Sequence, residues 1–247
     1  AITAMRPYSD KLTELLQNLS ATLDSDSGSK FSEQRDVKNV LIVAITSNRG
    51  LCGAFNSNII KQATAAASSY DAKVSIVAIG KKANDALSKN FDVISNQSAV
   101  FDDLTFDNVA AIAEMLMEQF ESKAFDKIEV IYNKFKNAAT QEIMTEQFLP
   151  IEPLENDTNA NLDYIFEPSK EEIIETLIPK SLKTQLYKSI RDSFASEHGA
   201  RMTAMHKATD NATELRDQLK LTYNKARQAS ITNEILEIVG GAEALNG

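Results

Sequence analysis

The sequence predicts an α/β fold, in which a mostly parallel sheet with covering helices is inserted between two terminal helices that wind as an antiparallel coiled coil. Three observations predict it. Between residues 40 and 149, short continuous apolar runs alternate with amphipathic stretches, the pattern of strand and helix in a sheet covered on both faces. The last 68 residues contain no proline, and from Lys180 to Gly240 their only internal glycine is Gly199, so they read as one helix of roughly 100 Å. Both ends of the chain carry apolar or small residues stepping by three and four. At the start these are Ile2, Met5, Ser9, Leu12, Leu16, Leu19 and Leu23. Towards the end they run from Met205 through Ala208, Ala212, Leu215, Leu219, Thr222, Ala226, Ala229 and Asn233 to Leu236.

In chain order, residues 1–23 form the first coiled-coil helix and 24–30 (DSDSGSK) a polar linker. Residues 40–45 (VLIVAI) and 74–79 are continuous apolar runs, as expected of strands buried on both faces. Residues 56–69, rich in alanine, and 81–89 read as helices, with 91–94 as a third strand. Residues 106–122 place Val109, Ile112, Ala113, Leu116, Met117 and Phe120 on one face of a helix. The stretches 127–133 and 142–149 alternate more and predict a hairpin across 136–140. The α/β domain therefore spans 37–149 and is Rossmann-like in its order of elements. Residues 150–162 (PIEPLENDTNANL) form a second linker. Ser169 stands as an N-cap with Glu172 at the capping-box position, and Pro179 is expected to separate a short helix from the long one or to kink it. The shaft helix is assigned to 169–247.

Composition bounds the function classes. Hydrophobic content of 43% and charged content of 25% suit a soluble globular chain, and no apolar run approaches the ~20 residues of a membrane span. The one cysteine, Cys52, excludes an intramolecular disulfide and fits a reducing compartment. Net charge is −9, yet residues 180–247 hold ten Lys or Arg against eight Asp or Glu. Arg216, Lys220, Lys225 and Arg227 form a basic belt beneath a tip carrying Glu234, Glu237 and Glu243, which fits an acidic protein partner or a solvated helix face. The acidic total and the absence of interleaved aromatics argue against nucleic acid.

The candidate chemistry is thin. The loop after the first strand, residues 46–56 (TSNRGLCGAFN), sits where open α/β folds bind phosphates, but it has neither GxGxxG nor GxxxxGK[ST]. Cys52 is a candidate nucleophile beside Arg49, but the domain contains no histidine to serve as base, and a buried or interface thiol is the better reading. His198 and His206 are eight residues apart on the long helix, and no metal site is assigned. The acidic pairs Asp102 with Asp103 and Glu171 with Glu172 read as caps and solvated turns. No cofactor is expected. The residues by themselves point to a structural or mechanical subunit. A seam so poor in bulky side chains cannot hold a long helix in water, and the first helix, roughly 35 Å long, reaches only the first third of it. Other polypeptides are expected to enclose the rest, and a helical segment is expected upstream of Ala1.

Two motifs are more specific. Residues 231–242 (ITNEILEIVGGA) resemble the C-terminal signature of the gamma subunit of the F-type ATP synthase, and 46–53 (TSNRGLCG) resemble that family's loop after the first central strand. Residues 195–205 (ASEHGARMTAM) and 223–229 (YNKARQA) are similar to it too. The resemblance implies a non-catalytic rotor shaft, whose terminal helices lie within a ring of alpha and beta subunits and whose α/β domain sits with epsilon on the membrane ring of c subunits. It would carry torque between proton flow and ATP synthesis, with no direct membrane insertion, on the cytoplasmic face of a bacterial inner membrane more readily than in mitochondria. By position, Arg227, Gln228, Thr232 and Glu237 match a contact with a catch loop of a beta subunit, and Arg49 and Cys52 a contact with its acidic lever. Tyr164, Phe166 and Glu167 match the foot on the rotor ring and epsilon, where the family often has Tyr in place of Phe166. The resemblance also implies that the basic start of the first helix and the chloroplast form's segment with two regulatory cysteines are absent. A Cys52-dependent enzyme with a coiled-coil extension and an unrelated coiled-coil adaptor are the competing readings.

Overall fold

The computed structural model describes residues 30–151 and 170–246, together with Pro7, Tyr8, Lys11 and Leu12. Most of the first helix, most of both linkers, the Ser169 cap and the foot residues Tyr164, Phe166 and Glu167 lie outside the described residues. The four described residues of the first helix are helical, with Leu12 buried and Tyr8 exposed. The chain divides into two units, Ala1–Met202 and Thr203–Gly247.

In the first unit, β1 (Asn39–Ile45), β2 (Lys73–Ile79), β3 (Asp92–Asn96), β4 (Lys127–Asn137) and β5 (Thr140–Leu149) form one sheet in the order β3-β2-β1-β4-β5. The first four are parallel and β5 pairs antiparallel with β4. β1 is central, which explains its unbroken apolar run: Val40, Ile42 and Ala44 face one side and Leu41, Val43 and Ile45 the other, all with no exposed surface. On the first side lie α1 (Phe55–Ser69) and α2 (Lys81–Leu87), contributing Ile59, Ala63, Ala67, Ala83 and Leu87. The second side is covered by α3 (Phe106–Glu121), which starts on the Thr105 cap accepting from Asn108 N, and by the first part of α4 (Lys170–Asn246).

Two expectations change. α4 runs unbroken through Pro179, so the proline does not separate two helices. Ile178 and Leu182 on either side of it are 2% and 3% exposed, and burying them offsets the roughly 3 kcal/mol that an interior proline costs. β4 continues to Asn137, past the expected end at 133, because the Asn137 side chain closes the turn, accepting from Ala139 N at 3.0 Å and Thr140 N at 2.8 Å.

The first part of α4 is keyed into the sheet by a stripe spaced four residues apart: Ile178, Leu182, Leu186 and Ile190 are all buried in the α3 core. Further along, Ser196 Oγ donates to Asn133 O at 3.0 Å, and Gly199 lies so close to the hairpin that a Cβ there would meet Ala138 O at 2.9 Å.

Candidate functional site

Two regions carry the residues singled out by sequence: the loop after β1 in the first unit, and the helical surface of the second.

The loop is built from behind. Ser47 is fully buried, and its N–H donates to Asn56 Oδ1 at 2.9 Å. Asn56 Nδ2 donates to Ser47 Oγ at 2.9 Å, to Arg49 O at 3.3 Å and to Cys52 Sγ at 3.2 Å. Asn56 therefore staples both limbs of the turn to the first residues of α1. From the opposite direction, Arg201 on α4 donates to Gly50 O at 3.2 Å while pairing with Glu197 at 2.7 Å. Asn48 ties the loop sideways, donating to Ser98 O at 3.0 Å and accepting from Lys81 N at 2.9 Å. Gly80, at φ +106°, lets the start of α2 approach, since a Cβ there would fall 2.3 Å from Thr46 O.

The polar staple at the carboxyl end of β1 is extended by Asn133, whose Nδ2 donates to Phe55 O at 3.3 Å, and an open crevice lined by Asn48, Lys81, Asn96 and Ser98 lies at the carboxyl ends of β2 and β3. Cys52 is 2% exposed, and its hydrogen-bond partners are Asn56 Nδ2, Ser47 Oγ and Arg49 O. None of these is a base, so the reading as a Cys52-dependent enzyme finds no support. Arg49 is exposed and, among the described residues, pairs with no carboxylate. Any partner meets Arg49 and the neighbouring Leu51 before it meets the thiol. No group of His, Cys, Asp and Glu that could hold a metal occurs among the described residues.

The second unit is helix throughout its described length and exposed at every residue from 205 to 244. Leu215, Leu219 and Leu236 of the seam are 56%, 59% and 62% exposed. Sequence reasoning missed a second stripe. Ile231, Ile235 and Ile238, also exposed, share one side of the helix, and at ~100° per residue they stand roughly opposite the seam residues Ala229, Asn233 and Leu236. The signal was present as a 4–3 spacing but was masked by the longer heptad pattern beside it. A helix apolar on opposite sides requires cover on more than one side. Of the catch residues, Arg227, Gln228 and Thr232 fall within an arc of about 140°, whereas Glu237 is set on the other side of Arg227 by about 80°. Arg227 is thus nearer in angle to Glu237 than to Gln228 or Thr232, and the four spread over about 220° of the helix. Tyr164, Phe166 and Glu167 are outside the described residues. No helix among the described residues is long and apolar enough to cross a membrane.

The ATP synthase family model matches residues 1–245. The ATP synthase gamma chain of Flavobacterium psychrophilum is 74% identical over 100% of this chain and 87% of its own length. That of Flavobacterium johnsoniae is 72% identical over the same shares. Among solved structures, a chain of the mitochondrial ATP synthase of Euglena gracilis, solved with OSCP, F1 and c-ring, superposes with a TM-score of 0.66 at 22% identity, covering 99% of this chain and 92% of its own, a likeness that bears on the fold. With the family model spanning residues 1–245 and relatives more than 70% identical along the whole chain, the chain belongs to the ATP synthase gamma-chain family.

Proposed function

We propose that the chain is the central shaft of a proton-translocating F-type ATP synthase, carrying torque between the membrane rotor ring and catalytic sites on the surrounding alpha and beta subunits. The observation that carries this is the second unit, whose helix exposes bulky apolar residues on opposite sides. Such a helix is stable in water only when enclosed, and a ring of subunits is an enclosure.

A shaft needs an anchor and an asymmetric working end. The anchor is the stripe Ile178, Leu182, Leu186 and Ile190, whose burial stabilises the junction by roughly 6–12 kcal/mol as an upper bound. The working end differs around its circumference: Arg227 and Glu237 lie within about 80° of each other, Gln228 and Thr232 within about 40°, and the two apolar stripes separate these pairs. Each of three otherwise equivalent catalytic subunits then meets a different face, and these differential contacts bias their conformations in turn. Arg227, Gln228, Thr232 and Glu237 serve as the contact with the beta catch loop. The loop of residues 46–53, through Arg49 and with Cys52 buried behind it, serves as the contact with the acidic lever of beta. Tyr164, Phe166 and Glu167 serve as the foot on the ring of c subunits and epsilon. The chain itself performs no catalysis and holds no nucleotide, its loop after β1 carrying neither phosphate-binding glycine pattern. It works as a peripheral component on the cytoplasmic face of the inner membrane.

Adding the chain to purified alpha and beta subunits is the test. A stable complex with raised ATP hydrolysis is expected. No association and no change in turnover would refute the proposal.

A further inference from the structure

We infer that Leu51 is the apolar anchor of the loop after β1, seated in a recess of a partner segment whose rim carries carboxylates. The inference rests on the reading above that this loop meets a subunit of the enclosing ring.

Leu51 has φ +61° and is 77% exposed. Both properties are unfavourable for a leucine. A branched residue in the left-handed region is strained, and its side chain gains nothing from the fold while it points into solvent. If the turn alone mattered, glycine or asparagine would make it without strain. What leucine adds here is an outward apolar side chain.

The backbone beneath it is braced on both sides. Asn56 holds Arg49 O, Arg201 holds Gly50 O, and Phe55 N donates to Cys52 O at 3.3 Å. The tip is therefore presented in one conformation, which lowers the ordering cost of docking. Cys52 is buried and Gly50 and Gly53 have no side chains, so among residues 50–53 only Leu51 offers an exposed side chain to a partner. Arg49 supplies the charge. Its guanidinium is exposed with no carboxylate partner among the described residues, whereas Arg201 is already neutralised by Glu197. An apolar knob beside one uncompensated guanidinium is complementary to an acidic segment with an apolar gap.

The test uses the complete complex. A photo-cross-linking benzophenone amino acid placed at position 51 is expected to label an acidic peptide of a ring subunit. Labelling confined to this chain, or to a basic or neutral peptide, would overturn the inference. In parallel, Leu51→Asn keeps the left-handed turn and removes the apolar group, while Leu51→Met keeps an apolar side chain. ATP-driven proton pumping is expected to fall about fivefold in Leu51→Asn, with assembly unchanged and a melting temperature no lower than the parent's, and to be largely retained in Leu51→Met. If the unsubstituted chain joins the ring and Leu51→Asn pumps as well as it does, the anchor is refuted while the shaft stands. If the unsubstituted chain does not join the ring, both fall.

Discussion

Asn56→Ala isolates the brace on which the loop depends. The amide side chain of Asn56 accepts from the N–H of Ser47, a residue with no exposed surface, and donates to Ser47 Oγ, Arg49 O and Cys52 Sγ. Truncation leaves a buried backbone donor unsatisfied, at about 1–3 kcal/mol, and removes further bonds each contributing about 0.5–1.5 kcal/mol net. The expected loss is about 2–4 kcal/mol, which for a chain of this size lowers the melting temperature by about 5–15 °C. Tyrosine fluorescence during thermal unfolding reads it, since the chain has no tryptophan. Asn56→Asp separates the two halves of the brace. It keeps the acceptor for Ser47 N–H but turns a carboxylate towards Arg49 O, so its loss should ease as the pH is lowered far enough to protonate the carboxyl. An Asn56→Ala protein within about 0.5 kcal/mol of the parent would show that the loop is not held as described.

Gly80→Ala is expected to abolish folding or cost more than about 4 kcal/mol, because its Cβ would lie 2.3 Å from a backbone oxygen at φ +106°; soluble yield and melting temperature check it. Two alanines in α4 should act in opposite directions. Gly199→Ala gains about 1 kcal/mol in helix propensity but crowds Ala138 O at 2.9 Å and Ala138 Cα at 3.0 Å, for a net loss of about 1–2 kcal/mol, whereas Gly240→Ala, with nothing within 4 Å, keeps the full gain; hydrogen exchange along α4 distinguishes them. Burial, reinforced by the charge of Glu146 and the bond to it, holds the Tyr132 phenol far above its ordinary value, and burial with the bond to Glu129 raises Tyr70. Both raised values mean that stability present below about pH 10, where tyrosines of an unfolded chain ionise, is lost as pH rises above it. Spectroscopic titration should find fewer than the chain's six tyrosines ionising before alkaline unfolding, and Tyr132→Phe should flatten this dependence.

Much of the sheet was legible because β1 and β2 are buried on both faces, so burial itself writes a continuous apolar run. β3 was fainter because it lies at an edge, with no fully buried residue to write the pattern. That one helix continues through Pro179 was not legible because local propensity opposes it, and only the packing of Ile178 and Leu182 against distant elements decides the outcome. The loop could be located but not its braces. Arg201 and Gly50 are 151 residues apart, and no periodicity announces a single polar bond across that distance. Cys52 reads from the sequence as a buried or interface thiol ahead of a nucleophile, and the fold does turn it inward, but nothing in the sequence announced that the exposed position falls to Leu51. At the far end, the 4–3 spacing of Ile231, Ile235 and Ile238 was readable, but a second stripe gains meaning only once the helix is known to be bare on both sides.

The central claim is that residues 203–246 form a shaft stable only when enclosed. Hydrogen exchange of those amides, with and without the alpha and beta subunits, tests it most directly. Alone, they should exchange nearly as fast as an unfolded segment, and within the ring they should slow by about two orders of magnitude or more. Strong protection in isolation, unchanged on adding the ring, would contradict the account.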